Sequence, residues 1–113
     1  MFNTLINKLH NESYITLETT PSHSATFNPI IETLQELELG DKFEGFTTTD
    51  NPLAKMKYNA ILAAIKLQQA FNKPVLATMS MRDKNIIALQ SDMLGANDFD
   101  VRSFLFVTGD PAT

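Results

Sequence analysis

The sequence predicts one α/β domain, in which four parallel strands are joined by three helices and preceded by a fourth helix. Short runs of β-branched and aromatic residues alternate with stretches whose apolar residues recur at helical spacing. Turn-forming or cap-and-proline sequences separate them, and the connections are only a few residues long. Because strands that alternate with helices are joined by right-handed crossovers, the strands are expected to be parallel.

Composition narrows the class of protein. With 113 residues, 43% of them apolar and 19% charged, the chain has the make-up of an ordinary globular domain. The net charge of −4 and the lack of a basic stripe argue against nucleic acid or an anionic membrane as a partner. The absence of cysteine excludes disulfides, thiol catalysis and cysteine–zinc sites. No run reaches the roughly 18 apolar residues of a membrane span, and no signal-peptide pattern is present, so a cytoplasmic protein is expected.

The first helix and the first strand lie in the first 21 residues. Residues 2–10 carry apolar side chains at helical spacing, which predicts a short amphipathic helix. Residues 14–20 alternate between apolar and polar, with Ile15 and Leu17 on one side, and Pro21 ends the strand.

The second helix and strand follow. Asn28 is predicted to cap the helix, with Pro29 at its first position and Gly40 as its stop. Residues 43–49 are rich in β-formers and predict the second strand, although Gly45 interrupts them.

The third helix is predicted to be the longest, because Asp50, Asn51 and Pro52 repeat the cap-then-proline signal and the apolar pattern runs on to residue 72. Residues 75–81 predict the third strand. The predicted inward face of the helix comprises Leu53, Met56, Ala60, Ile61, Ala64, Leu67 and Phe71.

The fourth helix is predicted to be capped by Asp83 and stopped by Gly95. Residues 104–107 form a short apolar run that predicts the last strand, and Gly109 and Asp110 then begin a turn. The predicted inward face of the helix comprises Ile86, Ile87, Gln90, Met93 and Leu94.

Polar residues follow each predicted strand, and the carboxyl ends of parallel strands are where α/β folds place their ligand sites. We therefore expect these groups to converge at one end of the sheet. They comprise Glu18, Thr49, Asp50, Arg82, Asp83, Thr108, Gly109 and Asp110.

Each of these residues also has a purely structural interpretation. Glu18 is a general-acid candidate if its strand partly buries it, or else a solvated strand-end residue or ion-pair member. Asp110 follows a glycine that permits close backbone approach, yet Gly-Asp-Pro is also a common turn. Asp50 is sufficiently explained as a helix cap. Arg82 and Asp83 suit either anion binding or a weak surface pair.

No metal site is predicted, because neither His10 nor His23 has a partner at metal-ligand spacing. Glycine-rich phosphate loops and Ser–His–Asp signatures are also absent from the sequence.

Taken together, the motifs resemble the amino-terminal half of the methylenetetrahydrofolate reductase family, flavoproteins with a (βα)8 TIM barrel. The most specific matches are Leu17-Glu18-Thr19-Thr20-Pro21, similar to the family's first strand, and Phe104-Leu105-Phe106-Val107-Thr108-Gly109-Asp110-Pro111, similar to its fourth strand and Gly-Asp-Pro loop. Leu94-Gly95-Ala96 and Thr48-Thr49-Asp50-Asn51-Pro52 also resemble family segments. The similarity covers residues 14–111.

The resemblance implies an FAD-dependent oxidoreductase of one-carbon folate metabolism and methionine biosynthesis. It would reduce 5,10-methylenetetrahydrofolate to 5-methyltetrahydrofolate, with NAD(P)H or another reductant as electron donor. By the same resemblance, Glu18 matches the general acid that helps open the bridged folate, and Asp110 matches the acidic residue beside the flavin pyrimidine ring. Thr49 and Thr78 match flavin-side strand ends. Leu76 stands where many members carry a histidine.

The resemblance covers only four of the eight barrel strands. Residues 1–113 are therefore interpreted as the amino-terminal half of a catalytic barrel, a truncated fragment expected to be inactive alone. Alternatively, two copies pair their exposed strand edges into a pseudo-barrel. Two further hypotheses stay open: a non-catalytic half-barrel module completed by a partner, and a pterin-dependent barrel methyltransferase.

Overall fold

The computed structural model describes residues 1–10 and 14–109, which form one parallel sheet and four α-helices. The helices are α1 (Phe2–His10), α2 (Asn28–Glu36), α3 (Ala60–Phe71) and α4 (Ile86–Asp98). The strands are β1 (Thr16–Thr19), β2 (Gly45–Thr48), β3 (Val75–Ser80) and β4 (Ser103–Val107). The prediction of an α/β domain with this order of elements is confirmed.

The sheet has the order β1-β2-β3-β4, and every neighbouring pair is parallel. Each crossover advances in the same direction, so right-handed connections place α2, α3 and α4 on one face. We call this the helix face and its opposite the open face. All four carboxyl strand ends consequently point to one end of the domain, as predicted.

The hydrophobic core lies between the helix face and α3. Phe46 of β2 is fully buried, and its ring lies 5.1 Å from that of Phe71 in α3. Ala77 and Met79 of β3 point to the same side and are also buried, whereas Thr78 between them is only half-buried. The period-two alternation of strands therefore separates an apolar helix face from a more polar open face.

Helix α2 begins differently from the prediction. Phe27, not Asn28, is the N-cap residue, and its side chain makes no capping hydrogen bond; the Asn28 N–H donates instead to Thr26 Oγ1 at 3.2 Å. Phe27 is buried and its ring stacks on Tyr58 at 5.6 Å, so an aromatic anchor sets the entry of the chain. The helix ends at Glu36, well before Gly40. Glu38 adopts the left-handed conformation (φ 55°) that glycine was expected to supply.

Helix α3 starts at Ala60, so the predicted start at Pro52 is wrong. Pro52–Ala54 forms one short 3-10 turn instead, with left-handed φ angles at Asn51 and Leu53 that a continuous helix excludes. The Asn59 side chain caps α3 by accepting from the backbone N–H groups of Ile61 and Leu62. Two residues assigned to the inward face are exposed, namely Leu53 and Met56.

Helix α4 is capped by Asn85, which accepts from the Ala88 N–H at 2.8 Å, and not by Asp83. Gly95 lies within the helix rather than at its end. The predicted inward face is wrong except for Met93, since Ile86, Ile87, Gln90 and Leu94 are exposed. The side chains that pack inward are Leu89, Met93 and Ala96.

The start of the chain is fixed near the amino end of β4. The Met1 ammonium group donates to the Asp100 carboxylate at 2.8 Å. This hydrogen bond holds the pKa of Asp100 below its ordinary value. None of the described helices has the length and hydrophobicity needed to cross a membrane; the longest, α4, has 13 residues.

Candidate functional site

A cavity of about 320 Å³ opens at the carboxyl ends of β2, β3 and β4. This is the end of the sheet at which the sequence predicted polar groups to converge. The volume lies at the lower end of the range of about 300 to 1,000 Å³ that is typical of small-molecule sites. The cavity is lined by Thr49, Asp50, Pro52, Thr78, Val107, Thr108 and Gly109. We call it the strand-end cavity.

Asp50 connects two walls of the strand-end cavity. Its carboxylate Oδ2 accepts a hydrogen bond from the backbone N–H of Ser80 at 2.8 Å. Asp50 is the second residue after β2 and Ser80 is the last residue of β3, so this bond joins the carboxyl ends of neighbouring strands. The sequence suggested a helix cap for Asp50, but the structure gives it a tertiary contact. In the sequence, only its position in the loop after the second strand pointed to this role.

Gly109, in the loop after β4, lies close to the end of β3 and to Arg82. Its φ of +92° is a conformation that side-chain-bearing residues rarely adopt. A Cβ atom there would lie 2.6 Å from Ser80 Oγ and 2.9 Å from Arg82 Cβ. The Met81 N–H also donates to the Val107 carbonyl at 2.9 Å. Glycine is therefore required for this wall of the cavity to close.

Thr49 and Thr78, the two threonines that the resemblance assigns to the flavin side, line the same cavity. The Thr49 hydroxyl oxygen is buried and has no hydrogen-bond partner among the described residues. Because buried polar atoms are almost always hydrogen-bonded, such an orphan is a point where a ligand can bind. The structure thus brings together two predicted residues that lie on adjacent strands.

Glu18 does not line the strand-end cavity. It pairs with Thr47 in the sheet register, and by strand alternation both side chains belong to the open face, as do Thr49 and Thr78. Its strand lies two strands, or about 10 Å, from β3. Glu18 is exposed, so the partial burial considered for it is wrong. Its neighbours in β1, the half-buried Leu17 and the buried Thr19, lie on the helix face.

Asp110, the other acidic residue singled out, lies outside the described residues. Its predecessor Gly109 lines the strand-end cavity. Leu76, at the position where many members of the resembled family carry histidine, is half-buried and pairs with Thr47 across the sheet.

Arg82 and Asp83 form an ion pair with each other on the surface. The hydrogen bond from Arg82 lowers the pKa of Asp83 from its ordinary value. Within residues 1–10 and 14–109, no group of three or more acidic or histidine side chains is placed to hold a metal ion.

The fold and the cavity define a class: a parallel α/β protein with a small-molecule-sized, hydroxyl-lined site at its carboxyl strand ends. Comparisons with known proteins do not narrow this class further, since no protein-family model, curated protein or solved structure matches the chain.

Proposed function

We propose that the chain is the amino-terminal half of a cytoplasmic (βα)8 reductase barrel that uses FAD to reduce 5,10-methylenetetrahydrofolate to 5-methyltetrahydrofolate. One observation carries the proposal. Thr49 and Thr78, which the resemblance assigns to flavin contact, line one cavity together with Gly109 of the Gly-Asp-Pro motif. The consecutive order of four parallel strands supports the barrel assignment, because a barrel adds its strands in this way.

The lining residues fit part of a flavin. Threonine hydroxyls at positions 49, 78 and 108 offer both donors and acceptors to the polar edge of a ring system, and Pro52 and Val107 offer apolar contact. A volume of about 320 Å³ suits a ring system rather than a whole dinucleotide. When bound, FAD would supply hydride transfer.

The protein's own contribution is positioning and proton supply. Asp50 holds the ends of β2 and β3 together through Ser80 and thereby fixes the spacing of Thr49 and Thr78. Glu18 stands on the same face as the two threonines, where it would deliver a proton to a folate lying over the open face. The resemblance would also give Asp110 a role beside the flavin, but this residue lies outside the described residues.

Flavin binding tests the proposal. Titrating FAD into the 113-residue chain should shift the flavin absorbance bands and quench its fluorescence. Replacing Thr78 by Val should weaken binding about tenfold, because a hydrogen bond inside a cavity is lost while the shape is kept.

Thr47→Val is the matched control, since Thr47 lies on the same face but does not line the cavity. Equal weakening by both variants, or no spectral change at millimolar FAD, would contradict the proposed site.

The exposed apolar residues of β4 favour a second candidate for the protein's state, in which two copies of the chain complete one barrel. Leu105 and Phe106 are 50% and 44% exposed, and β4 and β1 are the edges of the described sheet. Edge strands present unpaired backbone groups that a second sheet can satisfy. We infer that two copies pair β4 with β1 in both directions around a twofold axis.

Sedimentation equilibrium tests this pairing. The expected mass is twice 12.6 kDa, and Phe106→Ser should shift the equilibrium to monomer, whereas Phe2→Ser on α1 should not. A strict monomer at all concentrations would contradict it.

A further inference from the structure

A second cavity, of about 350 Å³, lies between the loop after β1 and the loop after β2. It stands at the same end of the sheet as the strand-end cavity, and Asn51–Lys57 separates the two. Its lining residues are His23, Ser24, Ala25, Met56 and Lys57, so it contains two potentially cationic side chains and no carboxylate. The chain as a whole has more acidic than basic residues, 13 against 9, whereas the residues that line this cavity include a lysine and no acidic residue.

One backbone hydrogen bond brings His23 near Lys57, and a second hydrogen bond, to a side chain, holds the backbone at Lys57. The Tyr58 N–H donates to the Ser22 carbonyl at 2.8 Å, which brings the residue after Ser22 next to the residue before Tyr58. These are His23 and Lys57. The Lys57 N–H in turn donates to Asn51 Oδ1 at 2.8 Å. These hydrogen bonds therefore set how the two loops that line the cavity lie relative to each other.

A buried aromatic contact anchors this pair of loops to the core. The ring of Tyr58 stacks on Phe27, which is 1% exposed. Because both loops end in this contact, their spacing is set by the packing of the domain. Lys57 itself is half-buried, which reduces the solvent screening of its charge compared with a fully exposed lysine.

The polar groups of this cavity are available as donors. Within residues 1–10 and 14–109, neither His23 nor Lys57 takes part in an ion pair. The Ser24 hydroxyl oxygen accepts from the Thr26 N–H, which leaves the hydroxyl hydrogen to donate outward. A lysine, a histidine and a serine thus line one cavity, and its other lining residues, Ala25 and Met56, are apolar.

We propose that this cavity is a binding site for a small oxyanion group, a phosphate or a carboxylate carried by a ligand. An oxyanion has several acceptor oxygens and a negative charge, which match the three donor side chains His23, Ser24 and Lys57, the last of which carries a positive charge. The lack of a lining carboxylate removes the repulsion that an anion would meet at the strand-end cavity, where Asp50 lies. The inference stands independently of the flavin chemistry proposed above.

Inorganic phosphate is the first probe, added to the full 113-residue chain at constant ionic strength and followed by backbone amide NMR. We expect saturable shifts at Ser24, Ala25 and Lys57. Lys57→Gln should weaken phosphate binding about tenfold, because a charge-assisted hydrogen bond is lost. His23→Gln should also weaken binding, by a smaller factor. Acetate, titrated in parallel, distinguishes a phosphate site from a carboxylate site.

Lys55→Gln is the matched control, because Lys55 is an exposed lysine of the same loop that does not line the cavity. The Lys55→Gln variant should bind phosphate with the same affinity as the unchanged chain. Amide shifts of residues away from the cavity report whether each variant folds. Shifts that do not saturate, or equal weakening by Lys55→Gln and Lys57→Gln, would mean an adventitious ion only and overturn the proposal. Loss of FAD binding with phosphate binding retained would refute the flavin proposal alone.

Discussion

If the chain belongs to the proposed reductase, replacing Glu18 by Gln should strongly slow folate reduction while leaving the reduction of the flavin by NAD(P)H intact. The amide keeps the size and polarity of the side chain but has no acidic proton to deliver. General acid catalysis typically contributes a factor of about 10² to 10⁴, so a loss of at least about 100-fold is expected. The measurement compares two half-reactions in a preparation competent for folate reduction: bleaching of the flavin by NAD(P)H, and reoxidation by methylenetetrahydrofolate.

The position of Glu18 explains why the two half-reactions should separate. It lies on the open face with Thr47 and does not line the strand-end cavity, so its replacement should leave the proposed flavin contacts unchanged. Glu32→Gln, on the exposed surface of α2, is the matched control and should leave both half-reactions unchanged. If Glu18→Gln slows both half-reactions equally, or neither, Glu18 is not the proton donor.

The strands and their order could be predicted from the sequence because their signals are local. β-Branched and aromatic runs bounded by turn residues mark β2, β3 and β4, and alternation with helices implies parallel pairing. The first helix, Phe2–His10, has the predicted bounds because one clear apolar stripe defines it.

The start of α3 could not be predicted, because two competing caps precede it. Asp50-Asn51-Pro52 is the stronger local signal, yet Asn59 caps the helix. The deciding interactions are distant in sequence: the Tyr58 N–H bonds to Ser22, and Asp50 bonds to Ser80. Because of these tertiary contacts, the segment around Pro52–Ala54 is not the first turn of α3 but part of the loop that lies between the two cavities.

The prediction of which face of α4 packs against the core was wrong for a different reason. Apolar side chains occur around much of the helix, since Ile86, Ile87, Leu89, Met93 and Leu94 do not fall on one stripe. Periodicity cannot choose a face under these conditions. The structure turns Leu89 and Met93 inward and leaves the other three exposed.

The candidate sites show the same division between local and distant information. Thr49 and Thr78 could be selected because each stands at a strand end in a segment that resembles a known family. The partnership of Asp50 with Ser80 and the adjacency of His23 and Lys57 depend on loops that meet only after folding. No spacing or motif in the sequence indicates that these residues become neighbours in the fold.

Phe46→Ala should produce the largest loss of stability among single substitutions in the core. Phe46 is 0% exposed and lies between α3 and the sheet, with its ring against Phe71. Truncating a buried phenylalanine costs about 3 to 5 kcal/mol, from lost apolar burial and the cavity left behind. Small domains have a total stability of about 5 to 15 kcal/mol, so a large share of the folding free energy is removed.

The effect should also reach the strand-end cavity, because Phe46 fixes the strand that leads to Thr49 and Asp50. Urea unfolding followed by circular dichroism measures the midpoint and slope for each variant. Phe46→Leu should cost distinctly less than Phe46→Ala, since most of the volume is kept. Phe99→Ala is the control on a phenylalanine that is 51% exposed and should cost well under half as much. If Phe46→Ala and Phe99→Ala lower the free energy of unfolding equally, the helix face of β2 does not contribute to the core as described. The positions of Thr49 and Thr78 in the strand-end cavity would then also be wrong.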